Sequence, residues 1–276
     1  MYDIHQHLVF GAAELDRAIA PDLESATSRI LRHAEANGLS ASWLLDVSTA
    51  PRAEWIIQAA KNAPDKLIPF ASADPQADRP EKAVEDFAAA GFRGIGEQKV
   101  ELPVDHPGSL RIYQAAGELG LPVLIHVEEG AYNTGIMCLE SVLERFPGTV
   151  FIGHGPGWWA AISARDTGKA GYPGGPVGEP GPIDRWLSEY PNLYGDLSAG
   201  SGYNALARDR DFAREFLRRH REKLLFGSDC PCTDGKGAGR DGRCYARLTL
   251  GLLRELCDAE TAECIIRRNA GRLLAR

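Results

Sequence analysis

Two histidines near the amino terminus, His5 and His7, have the spacing of metal ligands on a strand. Alternate residues of a strand share one face and lie about 6.6 Å apart along the chain, so both rings can reach one metal ion. The pair alone is a weak motif, because 7 histidines in 276 residues produce some H-x-H pair in roughly one such sequence in five. Its position on the first predicted strand strengthens it.

Two more histidines and one aspartate occupy comparable positions. His126 directly follows an apolar run, and His154 and Asp229 follow one after a glycine and after a glycine and a serine, respectively. A single histidine of this kind is more often a hydrogen-bonded core residue, and a single strand-end aspartate is more often a helix cap. Four of the 7 histidines at strand ends are harder to explain by packing alone. We therefore interpret His126, His154 and Asp229, together with His5 and His7, as a candidate metal site.

Glu97 is the second carboxylate candidate, within the sequence G-I-G-E-Q-K at 94–99. A carboxylate buried in such a strand is costly unless it meets a cation or hydrogen-bond donors. Bridging two metal ions would satisfy it. Lys99, two residues further on the same face, is the structural alternative as an ion-pair partner.

Short apolar segments alternate with stretches of helical period, which is the pattern of a wound parallel sheet. The predicted strands are 2–7, 42–48, 67–72, 94–99, 122–127, 150–154, 193–198 and 224–229. Helices are predicted at 23–37, 52–62, 81–90 and 109–119, with left-handed caps at Gly38, Gly91 and Gly120. The length is close to the roughly 250 residues of an average (β/α)8 barrel. We therefore predict an α/β fold, a single-domain TIM barrel over residues 1–276.

Closure of such a barrel would place the first and last strands side by side, so Asp229 would stand beside His5 and His7. Active sites of these barrels lie at the carboxyl ends of the strands. Two long loops emerge there, the glycine- and proline-rich segment 155–182 and the cysteine-containing loop after the eighth strand. Topology also places several polar or aromatic residues near the pocket: Asp46, Trp158, Trp159, Tyr172, Asp196 and Ser198.

Some of these residues have competing interpretations. Trp158 and Trp159 could form a substrate platform, although aromatic pairs are more often packing residues. Tyr172 would contact a ligand only if its loop folds over the mouth. The three remaining histidines, His33, His106 and His220, fall in helices or loops and are predicted to lie on the surface.

Six cysteines in a reducing compartment are predicted to be thiols. Cys257 and Cys264 are spaced for one buried helix face. Cys230, Cys232 and Cys244 bracket a glycine-rich loop, but structural zinc sites usually supply paired C-x2–4-C units. Packing of the loop is therefore favoured over a second zinc site.

The net charge of −7 argues against binding to nucleic-acid backbones, and no apolar run approaches the roughly 18 residues of a membrane span. The first residues lack the basic and apolar regions of an export signal. We expect a cytoplasmic protein whose partner is a small-molecule substrate.

In their order along the chain, these motifs resemble those of the amidohydrolase superfamily, in particular its amidohydrolase-related branch of aminocarboxymuconate-semialdehyde decarboxylase-like barrels. The resemblance covers nearly the whole chain. It rests on D-I-H-Q-H at 3–7, L-I-H at 124–126, I-G-H-G at 152–155, F-G-S-D-C-P at 226–231 and I-I-R-R-N-A-G-R-L-L at 265–274. It implies that His5, His7 and Asp229 bind a metal, normally zinc, with His126 as a further ligand. His154 would lie beside the metal-bound water or bind a second metal.

Glu97 departs from the decarboxylase-like pattern and resembles the bridging carboxylate of superfamily members with two metals. The number of ions, one or two, and their identity, zinc or another divalent metal, therefore stay open. The expected function is hydrolysis of an amide, ester or lactone by a metal-activated water, with Asp229 moving the proton and His154 stabilising the oxyanion in a one-metal site.

Two other functions compete with hydrolysis. The first is metal-dependent non-oxidative decarboxylation, for which the loops offer four basic residues: Arg165, Lys169, Lys236 and Arg240. The second is a non-catalytic barrel with a structural metal. Because related barrels often form dimers, a homodimer is also left open.

Overall fold

A computed structural model describes residues 1–11, 16–17, 21–169, 171–239 and 242–275. All eight predicted strands are present, and most of them end a few residues earlier than predicted. They are β1 Tyr2–Gln6, β2 Ala41–Leu45, β3 Leu67–Phe70, β4 Ile95–Gln98, β5 Val123–His126, β6 Phe151–His154, β7 Leu193–Asp196 and β8 Leu224–Leu225.

The strands pair in parallel in sequence order, β1 to β3 in one ladder and β4 to β8 in another. A parallel bridge between Ala71 and Ile95 joins the ends of the two ladders at β3 and β4. On the other side, the amide of Ile4 in β1 donates a hydrogen bond of 3.1 Å to the carbonyl of Phe226, directly after β8. The sheet is therefore closed, and the fold is the predicted TIM barrel.

Helices fill the connections between the strands. Within the described residues they are α1 Leu23–Ala36, α2 Ala53–Asn62, α3 Pro80–Ala90, α4 Pro107–Glu118, α5 Leu139–Arg145, α6 Pro156–Ala160, α7 Pro182–Glu189, α8 Ala199–Ala207, α9 Arg210–Arg219, α10 Tyr245–Leu256, α11 Ala259–Glu263 and α12 Asn269–Leu274. A π-helical turn, Cys264–Arg268, joins α11 to α12. Gly91 caps α3 with a left-handed φ of 97°, as the sequence predicts. None of these helices has the length and apolarity needed to cross a bilayer.

One apolar cluster draws side chains from seven of the eight strands and so forms the barrel interior: Ile4, Trp43, Leu45, Phe70, Leu124, Ile152, Tyr194 and Leu225. The remaining strand, β4, is lined by glycines instead, Gly94 directly before it and Gly96 within it. A Cβ at Gly94 would lie 2.0 Å from the ring of Phe70, and one at Gly96 would lie 2.9 Å from Leu124. This packed layer supports the side chains at the strand ends.

The prediction of surface positions is wrong for His33 and His220, which are both buried. His220 follows α9, contacts the ring of Phe216 and lies 2.7 Å from a carboxylate oxygen of Asp184. His33 faces inward from α1. In both cases polar neighbours in the sequence conceal a helix face that packs against the barrel. His106 is half-buried.

Candidate metal centre

The strand ends bring every predicted metal-site residue into one cluster. The contributing residues are His5 and His7 from β1 and its end, Glu97 from β4, His126 from β5, His154 from β6, Asp196 from β7 and Asp229 from the segment after β8. The Nε2 atoms of His5 and His7 lie 2.9 Å apart. The amide of Asp229 donates a hydrogen bond of 2.8 Å to the carbonyl of His5, so barrel closure places the last strand beside the first.

Glu97 lies at the centre of the cluster, and its two oxygens face different histidines. Oε2 lies 3.3 Å from Nε2 of His7 and 4.0 Å from Nε2 of His5. Oε1 lies 2.5 Å from Nδ1 of His126 and 3.6 Å from Nε2 of His154. A single carboxylate thus connects two histidine pairs.

Asp229 stands beside the first histidine pair on the more open side. Its Oδ1 lies 3.6 Å from Nε2 of His7 and 3.9 Å from Nε2 of His5. The side chain is 22% exposed, whereas that of Glu97 is 4% exposed. Asp229 is therefore more accessible to a small molecule than Glu97 or the fully buried Asp196.

Hydrogen bonds to the far side of each ring orient the first histidine pair. Nδ1 of His7 donates to the carbonyl of Leu45 at 2.9 Å, which leaves Nε2 as the unprotonated nitrogen of the neutral ring. Nδ1 of His5 lies 2.6 Å from Oδ2 of Asp196. Such contacts to carbonyls and carboxylates are the usual means of fixing the orientation of metal-binding imidazoles.

Asp196 has a larger part in the site than the sequence indicates. Its Oδ2 also lies 3.1 Å from Nδ1 of His154 and accepts a hydrogen bond of 2.7 Å from Ser198. Barrel topology places Asp196 and Ser198 near the pocket but gives them no role. The signal in the sequence is that Asp196, like Asp229, comes shortly after an apolar run and a glycine.

Glu128 is a residue of the site that the sequence patterns do not predict. Its Oε2 lies 3.2 Å from Nε2 of His126, so that ring lies between two carboxylates, Glu97 on one side and Glu128 on the other. The side-chain amide of Asn133 donates to the carbonyl of His126 at 2.8 Å and so fixes the backbone there. Only the position of Glu128, two residues after a strand-end histidine, could have indicated it.

Negative charge dominates the electrostatics of the cluster. Burial disfavours the charged form of His5, but Asp229, Asp196 and Glu97 outweigh it and raise the pKa of that ring to about 9. Burial likewise opposes ionisation of Glu97, yet His126, His7 and His5 hold its pKa well below the usual range. Burial also opposes ionisation of Asp196, and His5 and His154 hold its pKa below the usual range.

The charge of the cluster is not balanced by fixed cations. Within the part of the chain that the structure describes, no lysine or arginine forms an ion pair with Glu97, Asp196 or Asp229. With neutral imidazoles, three carboxylates would share a largely buried site, which is costly without a cation. The nitrogen and oxygen donors, their orientation and their charge all fit divalent metal ions.

Several alternatives for neighbouring residues are resolved. Lys99 does not pair with Glu97; its ammonium group lies 5.0 Å from the ring centroid of Tyr132. Trp158 and Trp159 are buried, so they are packing residues and the substrate-platform interpretation is wrong. Tyr172 is 58% exposed.

The basic loop residues considered for carboxylate binding give little support to that role. Arg165 and Lys169 both pair with Asp166, and Lys236 is exposed. Arg240 lies outside the described residues.

A cleft of about 410 Å³ opens at the carboxyl ends of β2, β3 and β4. Ser48, Ser72 and Lys99 are among its lining residues. Ser48 also donates a hydrogen bond of 3.0 Å to the backbone carbonyl of Glu97, so the cleft adjoins the cluster, although its lining residues include none of the cluster side chains. Its volume is in the range of small-molecule sites.

Comparison with known proteins agrees with this geometry. The model of the amidohydrolase family matches residues 2–276. The chain therefore belongs to the amidohydrolase family, and the resemblance seen in its motifs is confirmed. No curated protein shows significant similarity to the chain.

Solved structures with the same fold cover nearly the whole chain at low sequence identity. An uncharacterized TIM-barrel protein from Bordetella bronchiseptica has a TM-score of 0.71 at 17% identity and covers 99% of this chain and 97% of its own. A probable 2-pyrone-4,6-dicarboxylic acid hydrolase from Acinetobacter baumannii has a TM-score of 0.65 at 16% identity, with 100% and 99% covered. A 2,6-dihydroxybenzoate decarboxylase from Rhizobium has a TM-score of 0.61 at 14% identity, with 99% and 98% covered. These similarities establish the fold, and the similar structures include both a probable hydrolase and a decarboxylase.

Proposed function

We propose that the protein is a metal-dependent hydrolase that uses two divalent ions to cleave an amide, ester or lactone bond of a small molecule. Zinc is the first candidate for both ions. The observation that carries the proposal is the position of Glu97, whose two oxygens face separate histidine pairs. Two-metal hydrolytic sites need a group of this kind because their ions lie about 3.5–4 Å apart. A single-metal site would leave one oxygen of Glu97 and one histidine pair without a metal ion to bind.

The residues divide into two ligand sets that share Glu97. His5, His7 and Asp229 would hold one ion, and His126 and His154 would hold the other. When bound, such ions lower the pKa of water toward neutrality and polarise a carbonyl oxygen. His154 is buried and directs Nε2 toward Glu97, so we assign it to metal binding rather than to the oxyanion.

The chain itself supplies the proton transfer. Asp229 is partly exposed beside the first histidine pair, so its carboxylate can accept a proton from the attacking water and deliver it to the leaving group. Asp196 holds His5 and His154 in position and does not touch the substrate. We place the substrate on the open side of the centre, beside Asp229.

Metal analysis of the purified protein and of a Glu97→Gln variant tests the proposal. We expect two metal equivalents at the strand ends of the native protein, and a loss of at least one in the variant, because a neutral amide cannot bridge two cations. Glu118→Gln, an exposed change on α4, is the matched control and should keep both. Full metal content in Glu97→Gln would contradict the two-metal site.

A substrate panel tests the reaction type separately. Esters, lactones and amides should be hydrolysed by the metal-loaded protein, and carboxylated aromatic and enol acids should release no carbon dioxide. Release of carbon dioxide without hydrolysis would favour the decarboxylase instead. A metal-loaded protein that does neither would support the non-catalytic barrel.

A further inference from the structure

A second group of ligand side chains lies under the loop that follows β8. Cys230 and Cys232 come from the start of this loop, Cys244 is the residue before α10, and His33 comes from α1. One ligand atom of each lies within 4.8 Å of the others. The Sγ atoms of Cys230 and Cys232 are 3.1 Å apart, and Sγ of Cys244 is 3.7 Å from Nε2 of His33.

We propose that these four residues bind one structural zinc ion in a Cys3His site, separate from the centre at the strand ends. Four donors at tetrahedral corners around zinc are separated by roughly 3.5–3.8 Å, given bonds of about 2.3 Å to sulfur and 2.0–2.1 Å to nitrogen. The cluster approaches this size. The three cysteines are free, and a disulfide would need sulfur atoms about 2.05 Å apart.

Burial indicates a closed site. Cys230, Cys232 and His33 are fully buried, and Cys244 is 2% exposed. A structural zinc site uses all four positions for protein ligands, whereas a catalytic site leaves one open. Three thiols alone could be ordinary apolar packing. The imidazole is different, because it is polar and directs Nε2 at a thiol.

The surroundings of His33 favour metal binding. Its Nδ1 lies 4.0 Å from Oδ2 of Asp3, a buried carboxylate, and 3.4 Å from the side-chain nitrogen of Gln6. A carboxyl group and a side-chain amide therefore lie behind the ring while Nε2 faces the thiols. Carboxylates on the far side of an imidazole are common around ligated metals.

Arg29 gives an independent indication. It is fully buried in α1, and its guanidinium donates to the carbonyls of Cys230 and His7. Within the described residues it forms no ion pair with a carboxylate, and its Nε has no hydrogen-bond partner. A buried arginine without a paired carboxylate is costly. Three thiolates around one divalent ion carry a net charge of −1 and would place a counter-charge beside Arg29, in addition to the electrostatic attraction of Asp16.

The site would fix the loop that begins at Asp229. Zinc would connect α1, the residues after β8 and the start of α10. Along the chain, a glycine-rich segment joins the last two of these. The loop already contacts α1, because Asn37 donates to the carbonyl of Gly235 at 3.0 Å. The proposal is independent of the reaction that the strand-end centre performs.

Cobalt substitution tests the site without measuring activity. Loading the metal-free full chain with Co²⁺ should produce thiolate-to-cobalt charge-transfer absorption, with a stoichiometry of one per chain. Cys232→Ser should lose most of this absorption and one metal equivalent. Cys257→Ser, a half-buried thiol outside the cluster, is the matched control and should keep both.

Two further measurements keep the outcome decisive if Cys232→Ser does not fold. X-ray absorption spectroscopy at the zinc edge of the unmodified protein should show sulfur neighbours at about 2.3 Å. Glu97→Gln should retain these sulfur neighbours even if it loses strand-end metal, which separates this proposal from the proposed function. Absence of sulfur neighbours in the zinc-loaded protein, or a Cys230–Cys232 disulfide in protein purified under reducing conditions, would overturn the proposal.

Discussion

The strand-end centre and the cysteine cluster adjoin each other at Asp229 and Cys230, but their donors and access differ. The first offers nitrogen and oxygen atoms from strand ends and has one partly exposed carboxylate. The second offers sulfur and one nitrogen from a loop and two helices, and all four side chains are buried. An open site can exchange water and substrate, whereas a closed thiolate site can only hold structure. The comparison predicts that one centre controls chemistry and the other stability.

Stepwise removal of metal is the strongest test of this division. A mild chelator should strip the strand-end ions first, because their site is open, and abolish hydrolysis while the unfolding temperature falls little. The closed cluster should release its ion only near unfolding. Metal content, activity and thermal unfolding followed on one sample would show this order. Release of sulfur-bound metal before activity is lost would contradict it.

Asp229→Asn should lower kcat/KM by about 10²–10⁴-fold, the usual range for loss of a positioned proton-transfer group. The amide keeps the size of the carboxylate but cannot accept the proton. Asp211→Asn, at a side chain that is 100% exposed, is the control and should leave activity unchanged. An Asp229→Asn variant with native kcat/KM would exclude the proposed role.

Asp196→Asn should weaken strand-end metal binding and activity by roughly 10–100-fold, as expected for residues that orient metal ligands. The amide can no longer balance the charge near His5 and His154. Competition with a coloured chelator gives the metal dissociation constant. The sulfur-bound ion should be unaffected, so equal weakening of both sites would indicate general misfolding.

The smallest effect is expected far from both clusters, at Asp184. Burial raises the pKa of this carboxyl, but His220 and Arg219 outweigh it, and the net pKa is lowered. Because the folded pKa is below the unfolded one, the stabilisation is present above pH of about 4 and is lost as the pH falls through the folded pKa. Asp184→Asn should reduce stability at pH 7 by about 1 kcal/mol and flatten its acid dependence, with metal content unchanged. Denaturant unfolding across pH would measure this, and an unchanged acid dependence would refute the assigned cause.

Much of the strand-end centre could be predicted from the sequence, because the barrel makes strand order equivalent to spatial order. Once eight apolar segments are recognised, His126 and His154 must be neighbours, and closure must bring Asp229 to His5. The structure has both arrangements. Ligands at strand ends can be predicted without knowing the conformation of the loops.

The cysteine cluster could not be predicted in the same way. Its loop has no regular period, C-x-C is not a usual zinc spacing, and the fourth candidate ligand lies about two hundred residues earlier on a helix. His33 looks like a surface residue beside Arg32 and Glu35, since only the packing of α1 turns it inward. Hydrogen bonds made after folding likewise give Asp196 and Glu128 their places.

Anomalous diffraction above the zinc absorption edge, from crystals of the purified protein, tests the central claim most directly. At the strand ends we expect two peaks about 3.5–4 Å apart on either side of the Glu97 carboxylate, one near His5, His7 and Asp229 and the other near His126 and His154, in addition to the separate peak expected at the cysteine cluster. Fewer than two peaks beside Glu97, or rings of His5 and His7 turned away from Asp229 with no peak between them, would contradict the two-metal centre.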